Sequence, residues 1–259
     1  MQLNYDFLPA QQACGNIPLI IIHGLFGSQS NWRSVARELS QTQDVYLPDC
    51  RNHGASPHAA GMSYEQMAHD IDDLQQSLSI EQWDVLGHSM GGKIAMRYAI
   101  DHTLSINRLI IADIAPKHYP PRHENIFLAI DLIESNRPAS RKLADEQLQP
   151  IITDPATRLF LLTNLERQAD KTFSWRFNTT AIREAYTAIS ANPLNENDQA
   201  VTIPALFIRG ANSRYIKDTD LTTIKHYFPN SQLRTIQQAG HWLHAEQPAT
   251  FLQLVRNFL

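Results

Sequence analysis

Cysteine is scarce in this chain of 259 residues, with only Cys14 and Cys50 present. Two such residues without paired spacing make no disulfide framework, and they read as reduced thiols. Metal-ligand spacing is missing too. Eleven histidines are scattered along the chain with no His-Glu-x-x-His pattern, so no metal site is expected. No apolar stretch approaches the length of a membrane span, about 20 residues. The first residues, Met1-Gln2-Leu3-Asn4-Tyr5-Asp6, carry neither a basic patch nor an apolar core. A signal peptide is therefore not expected, and a cytoplasmic location is. Basic excess is absent: the formal net charge is −4, which offers no field to recruit nucleic acid. Internal repeats and low-complexity segments are also lacking. What remains is an ordinary globular composition, 43% hydrophobic and 19% charged, in a length that suits one large α/β domain or a domain with an insertion.

Short apolar runs alternate with longer amphipathic ones, which predicts a mostly parallel sheet covered by helices. Strands are predicted over 19–22, 45–47, 83–86, 108–112, 205–208 and 232–236, and helices over 32–39, 64–78, 90–100 and 249–258. Several of these strands end in chemically suggestive residues: His23-Gly24, Asp49, Ser89, Asp113 and Gly210. Ligands of open α/β sheets sit beyond the carboxyl ends of the strands, so these residues point to one shared site. Between about 116 and 191 the alternation fails. That stretch is rich in proline (116, 120, 121, 138, 150, 155) and reads as helical over 122–135, 139–147, 155–165 and 179–191, with no buried strand. The expected organisation is a core of residues 1–115 and 192–259 with 116–191 inserted as a helical cap. Phe127, Ile130, Leu159, Phe160, Leu162, Phe173 and Trp175 could line a pocket there, although most are expected to hold the cap together.

The most informative motif is Gly87-His88-Ser89-Met90-Gly91, set between the apolar run 83–86 and a helix former-rich segment. Glycines permit a tight strand-to-helix turn, and a serine at its apex presents its hydroxyl above the sheet edge. A serine hydroxyl is a weak nucleophile and needs a base. His241, in Ala239-Gly240-His241-Trp242-Leu243-His244 after the last predicted strand, is favoured over His244. An oxyanion hole requires two backbone amides. Met90 is expected to supply one, and Leu25 in His23-Gly24-Leu25-Phe26-Gly27 the other, with Phe26 as the fallback. Asp49, Arg51, Asn52 and His53 form either a loop-fixing network or, less expectedly, a polar rim that engages substrate through Arg51 or Asn52, helped by Lys117, His118, Arg122, Arg176 and Arg183.

Taken together, the runs at 23–28, 49–58, 87–92 and 239–241 resemble the α/β-hydrolase superfamily. Arg51-Asn52-His53-Gly54 and Asp113-Ile114-Ala115-Pro116 resemble the YbfF-type bacterial esterases in particular. The resemblance implies an α/β-hydrolase fold, a mostly parallel eight-stranded sheet with helices on both faces and an inserted helical cap. It also implies esterase activity on short-acyl esters or acyl-CoA thioesters, without a cofactor. One departure stands out: Ile208-Arg209-Gly210-Ala211-Asn212-Ser213 has Ser213 where the family's acid is expected. Asp113, at the end of the strand after the nucleophile's, is expected to orient His241 and stabilise its charged form, with Ser213 as an auxiliary hydrogen-bond partner. Asp218 and Asp220 are weaker candidates for the acid, and the bland alternative for Asp113 is a cap on the turn into the insertion. A serine at 89 disfavours epoxide hydrolases and dehalogenases, which place an aspartate there. A carbon–carbon bond hydrolase, a haloperoxidase-like enzyme or a lyase of the same fold remains open, as does a non-catalytic ligand-binding protein. The expected partner is a small acyl ester or thioester, and the chain is expected to act as a monomer or homodimer.

Overall fold

The computed structural model describes residues 1–12 and 15–259. Cys14 lies outside the described residues, while Cys50 is a buried free thiol. Nine strands occur among these residues: β1 (Tyr5–Leu8), β2 (Leu19–Ile22), β3 (Val45–Pro48), β4 (Trp83–His88), β5 (Ile106–Ala112), β6 (Leu165–Arg167), β7 (Phe173–Trp175), β8 (Ala205–Gly210) and β9 (Ser231–Ile236). Eleven α-helices accompany them: α1 (Arg33–Leu39), α2 (Tyr64–Ser77), α3 (Met90–Asp101), α4 (Glu124–Asn136), α5 (Arg141–Leu148), α6 (Pro155–Thr163), α7 (Thr179–Glu184), α8 (Tyr186–Ser190), α9 (Leu221–Tyr227), α10 (Leu243–Glu246) and α11 (Pro248–Phe258).

Seven strands form one sheet in the order β1-β3-β2-β4-β5-β8-β9. Only β1 runs antiparallel to its neighbour; every other pair is parallel. The β2 run Leu19-Ile20-Ile21-Ile22 is buried throughout, as a central strand covered on both faces must be. Its side chains alternate between two cores. Ile20 and Ile22 pack with Val85, Ile111 and residues of α2 and α3; Leu19 and Ile21 pack with Leu86, Ile110 and residues of α1 and α11. Such period-2 division between layers follows from strand geometry.

The expected eighth strand is not found among the described residues. Residues 1–4, alongside the outer edge of the sheet, are instead tied to loops and α2: the Met1 amino group donates to Asp70 (3.0 Å) and Asn4 N–H to Ser56 Oγ (2.9 Å). β1 itself escaped the sequence reading because it is an edge strand with half-exposed residues, Phe7 among them. The sheet's amino edge therefore carries a weaker apolar signal than its centre.

Between β5 and β8 the chain leaves the sheet through α4–α8. Local caps explain where these helices start: Ser140 Oγ accepts from Leu143 N–H, Asp154 accepts from Thr157 N–H with Pro155 in the first turn, and Asn178 accepts from Ala181 N–H. Two features differ from expectation. The predicted 179–191 helix breaks into α7 and α8, and a two-stranded hairpin, β6 with β7, appears where no buried strand was expected. Leu165, Phe173 and Trp175 are buried in that hairpin, and Trp175 donates its indole N–H to the Ile130 carbonyl (3.1 Å). Three-residue strands are too short to show a period, so tertiary packing made the difference. No helix among the described residues is long and apolar enough to cross a membrane.

Candidate active site

Ser89 follows β4 directly and opens α3, with φ 53° and ψ −119°. Such a conformation is strained for a residue with a Cβ and costs of the order of 1–3 kcal/mol, so the surroundings must hold it. Ser89 N–H donates to Ala112 O (3.1 Å), and Ser89 O accepts from Lys93 N–H (3.1 Å). Neither flanking glycine has a positive φ; each is needed for close approach. A Cβ on Gly87 would come within 2.2 Å of the Gly91 carbonyl oxygen, and one on Gly91 within 2.2 Å of the Ile22 oxygen. The elbow is packed backbone against backbone, and only glycine fits.

His241 faces this serine from the loop after β9. The Ser89 hydroxyl donates to His241 Nε2 at 3.0 Å, and His241 Nδ1–H donates to Asp113 Oδ2 at 2.7 Å. A carboxylate can only accept, so this contact fixes the imidazole tautomer with Nε2 free as the acceptor. Asp113 is fully buried just past β5, also at positive φ (53°). Its Oδ1 accepts from Gly210 N–H (3.2 Å), and its Oδ2 accepts from the Ser213 hydroxyl as well as from His241. Ser213 therefore touches the carboxylate rather than the imidazole ring, with its oxygen accepting Tyr215 N–H (3.2 Å). His244 is turned away from the serine: its ring stacks on Trp32 at 4.0 Å. Asp218 and Asp220 are engaged elsewhere, with Arg209 and Lys117.

The loop 23–27 approaches Ser89 from β2. Phe26 N–H is already donated to His53 Nε2 (3.2 Å), which removes it as a free donor. Among the described residues neither Leu25 N–H nor Met90 N–H has an acceptor, and both residues line the cavity above Ser89. The Phe26 ring meets Phe127, Phe177 and His123 instead. His23 is structural: Nδ1–H donates to Gly24 O (2.8 Å) and Nε2 accepts Cys50 N–H (3.0 Å), while burial pushes its pKa down to about 4.

Asp49, Arg51, Asn52 and His53 build a loop-fixing network. Asp49 accepts from Gln29 and Ala55 N–H, Arg51 pairs with Asp70, and Asn52 exchanges two hydrogen bonds with Ala59. All are buried, so the loop-fixing reading holds and the less expected one, Arg51 or Asn52 at a substrate rim, is not met: Arg51 is spent on Asp70 and on the carbonyls of Gly61 and Gln66, and Asn52 on the backbone of Ala59. Of the cap residues considered, Phe160 and Arg122 line the cavity. Phe127, Ile130, Phe173 and Trp175 pack into the core, and Leu159 is exposed. Lys117 pairs with Asp220, and Arg183 with Asp131.

Three residues around His241 escaped the sequence reading. Tyr215 stacks on the His241 ring at 3.9 Å and 16°. His88 donates Nε2–H to the His241 carbonyl (2.9 Å), and burial among imidazoles holds its pKa well below the usual value, keeping it neutral. Glu246 accepts from both Gly240 N–H (2.7 Å) and Trp242 N–H (3.1 Å), gripping the loop on either side of His241. All three lie next to or within two positions of residues already singled out, His88 beside Ser89, Tyr215 past Ser213 and Glu246 past His244, but no local spacing marks the contacts they make. The cavity above Ser89 measures 440 Å³ and is walled by Phe160, Tyr186, Ile189 and Trp242. No group of three or more metal-ligating side chains occurs among the described residues.

Residues 17–248 match the family model described as the alpha/beta hydrolase fold. The chain is similar to esterase YbfF of Escherichia coli (strain K12), 34% identical with 100% of this chain and 99% of that protein covered. It is 35% identical to the zebrafish (Danio rerio) sn-1-specific diacylglycerol lipase ABHD11, covering 100% of this chain and 83% of that protein. Among solved structures, a marine microorganism esterase superposes with a TM-score of 0.94 at 41% identity, covering 100% of this chain and 99% of that one.

Proposed function

We propose that this chain, which belongs to the α/β-hydrolase family and is a hydrolase, is a serine esterase that cleaves short-acyl esters, with acyl-CoA thioesters as a second substrate class. The observation that carries the reading is the unbroken relay from Ser89 Oγ to His241 Nε2 (3.0 Å) and from His241 Nδ1 to Asp113 (2.7 Å). In this reading Ser89 attacks the acyl carbon as its proton passes to His241 Nε2. The oxyanion forms between the free amides of Leu25 and Met90. Removing one such donor typically costs about 2.7–4 kcal/mol of transition-state stabilisation. Collapse expels the alcohol or thiol, which takes the proton from His241, and water then releases the acid by the same route in reverse. Asp113 holds the tautomer and stabilises the imidazolium, and Ser213 supplies a further hydrogen bond to its carboxylate.

Residues 116–191 act as the cap that shapes the pocket: Tyr186 and Ile189 line the same cavity as Ser89. Arg122 and Arg214 also line that cavity, whereas none of the residues lining it is an aspartate or glutamate, which favours an anionic leaving group such as CoA. The named esterase and lipase relatives support ester cleavage over the carbon–carbon reading. The test is burst-phase hydrolysis of p-nitrophenyl acetate and butyrate, with acetyl-CoA as the thioester. A burst in wild type that disappears in Ser89→Ala is expected; steady turnover that survives Ser89→Ala would overturn the reading.

A further inference from the structure

Lys93 sits one helical turn past Ser89 on α3, is 2% exposed, and takes no part in the relay described above. Its ammonium is directed at the end of α8. Nζ donates to the carbonyls of Ser190 (3.2 Å) and Ala191 (2.6 Å), with Ile189 O at 3.5 Å, and lies over the rings of Tyr119 (4.8 Å) and Tyr64 (5.4 Å). The last carbonyls of a helix lack intrahelical partners, and a cation there satisfies several at once.

The same spot joins both chain crossings between the sheet and the 116–191 segment. On the outgoing crossing, Tyr119 N–H donates to Ser190 O (2.9 Å), and the Tyr119 hydroxyl accepts Ala115 N–H (2.9 Å) and donates to Tyr215 O (2.7 Å). On the returning crossing, Tyr64 of α2 donates its hydroxyl to Ile189 O (2.6 Å). Tyr215 in turn stacks on His241. A chain of contacts therefore runs from the nucleophile's own helix through both crossings to the base. Lysine is rarely buried without a reason, because desolvating an ammonium is expensive.

We propose that Lys93 is a positioning residue: it pins both crossings to the helix that begins at the nucleophile, and so fixes the pocket wall of Tyr186 and Ile189 relative to Ser89. This rests on the serine-esterase reading for its kinetic consequence but not for its structural one. A wall held in place discriminates among acyl groups; a loosened wall binds them less tightly while the relay itself survives. Burial and the neighbouring Lys117 push the Lys93 ammonium down to about 7. The groups that face it are Lys117 with its partner Asp220, and the phenols Tyr64 and Tyr119, both held neutral because burial raises them.

The test compares wild type, Lys93→Met and the charge-keeping Lys93→Arg by ester kinetics and by amide hydrogen exchange. In Lys93→Met the KM for p-nitrophenyl butyrate is expected to rise about tenfold while kcat falls less than about threefold. Amides at 119 and 186–191 should exchange at least about tenfold faster, and Lys93→Arg should restore most of both. Unchanged KM and unchanged exchange in Lys93→Met would overturn the proposal. So would an equal kcat loss on acetate and butyrate at constant KM, which would assign Lys93 to the elbow alone. Should Lys93→Met fail to fold, Lys93→Gln, whose neutral and shorter side chain cannot reach the carbonyls of Ser190 and Ala191 together, carries the same comparison. If wild type turns over no ester, the esterase reading falls, and the exchange arm still decides whether Lys93 holds the crossings.

Discussion

Two buried aspartates lie at opposite ends of adjacent central strands. Asp84 stands near the amino end of β4 and Asp113 just past the carboxyl end of β5; they are 3% and 0% exposed. Asp84 has one side-chain donor, Asn107 Nδ2 at 2.7 Å, and desolvation pushes its pKa up to about 6. Asp113 is surrounded by three donors from two segments: Gly210 N–H and the Ser213 hydroxyl at and just past the end of β8, and His241 Nδ1–H after β9. Burial alone does not make a carboxylate useful. What differs is the converging donor set, and a parallel sheet gathers loops at its carboxyl edge.

The contrast is sharpest at Ser89, the proposed nucleophile. Ser89→Ala should abolish the burst and lower kcat/KM by about 10⁴–10⁶, read by stopped-flow ester hydrolysis, while thermal stability stays near wild type or rises as elbow strain is relieved. Asp113→Asn keeps the shape but not the charge, and kcat should fall by about 10³–10⁴ with KM little changed. Near-full activity in that variant would place the charge partner of His241 elsewhere.

The sequence disclosed more about the carboxyl edge than about its supports. Continuous apolar runs marked the central strands, and Gly87-x-Ser89-x-Gly91 with Gly240-His241 marked the residues that now stand within hydrogen-bond reach. The placement of Asp113 was legible because it ends the next strand, a one-dimensional fact. The edge strand β1 and the short β6–β7 hairpin carried too few apolar positions to show a period. Tyr215, His88 and Lys93 act through contacts between segments roughly 25 to 150 positions apart, which no local pattern encodes, and Glu246 grips its own loop through backbone amides that no side-chain pattern marks. Arg51 and Asn52 illustrate the converse: their motif is conspicuous, yet it holds a loop together.

A smaller effect separates Asp113 from its support. Ser213→Ala removes one hydrogen bond to the carboxylate and leaves His241 in place, so kcat should drop about tenfold, the scale of one charge-assisted hydrogen bond. A loss as large as that of Asp113→Asn would make the hydroxyl an equal partner.

The smallest effect comes from the other carboxylate and has the opposite sign. Between pH 3.8 and about 6 the folded chain holds a proton on Asp84 that the unfolded chain has released. That contribution to stability is present at low pH and is lost as pH rises through about 6. Asp84→Asn keeps the acceptor for Asn107 and removes the charge. It should raise Tm by about 2 °C at pH 7.5, with the gain vanishing near pH 4, and leave ester turnover unaltered. A lower Tm at pH 7.5 would mean that the amino-end carboxylate is held more strongly by Asn107 and Arg108 than its raised pKa implies.

The measurement that bears most directly on the account is labelling with a fluorophosphonate, followed by peptide mapping of the modified residue. Stoichiometric, irreversible modification of Ser89, slowed by orders of magnitude in Asp113→Asn, is the outcome expected of a serine activated through His241. A wild-type protein that stays unlabelled, or labels at any other residue, would contradict it.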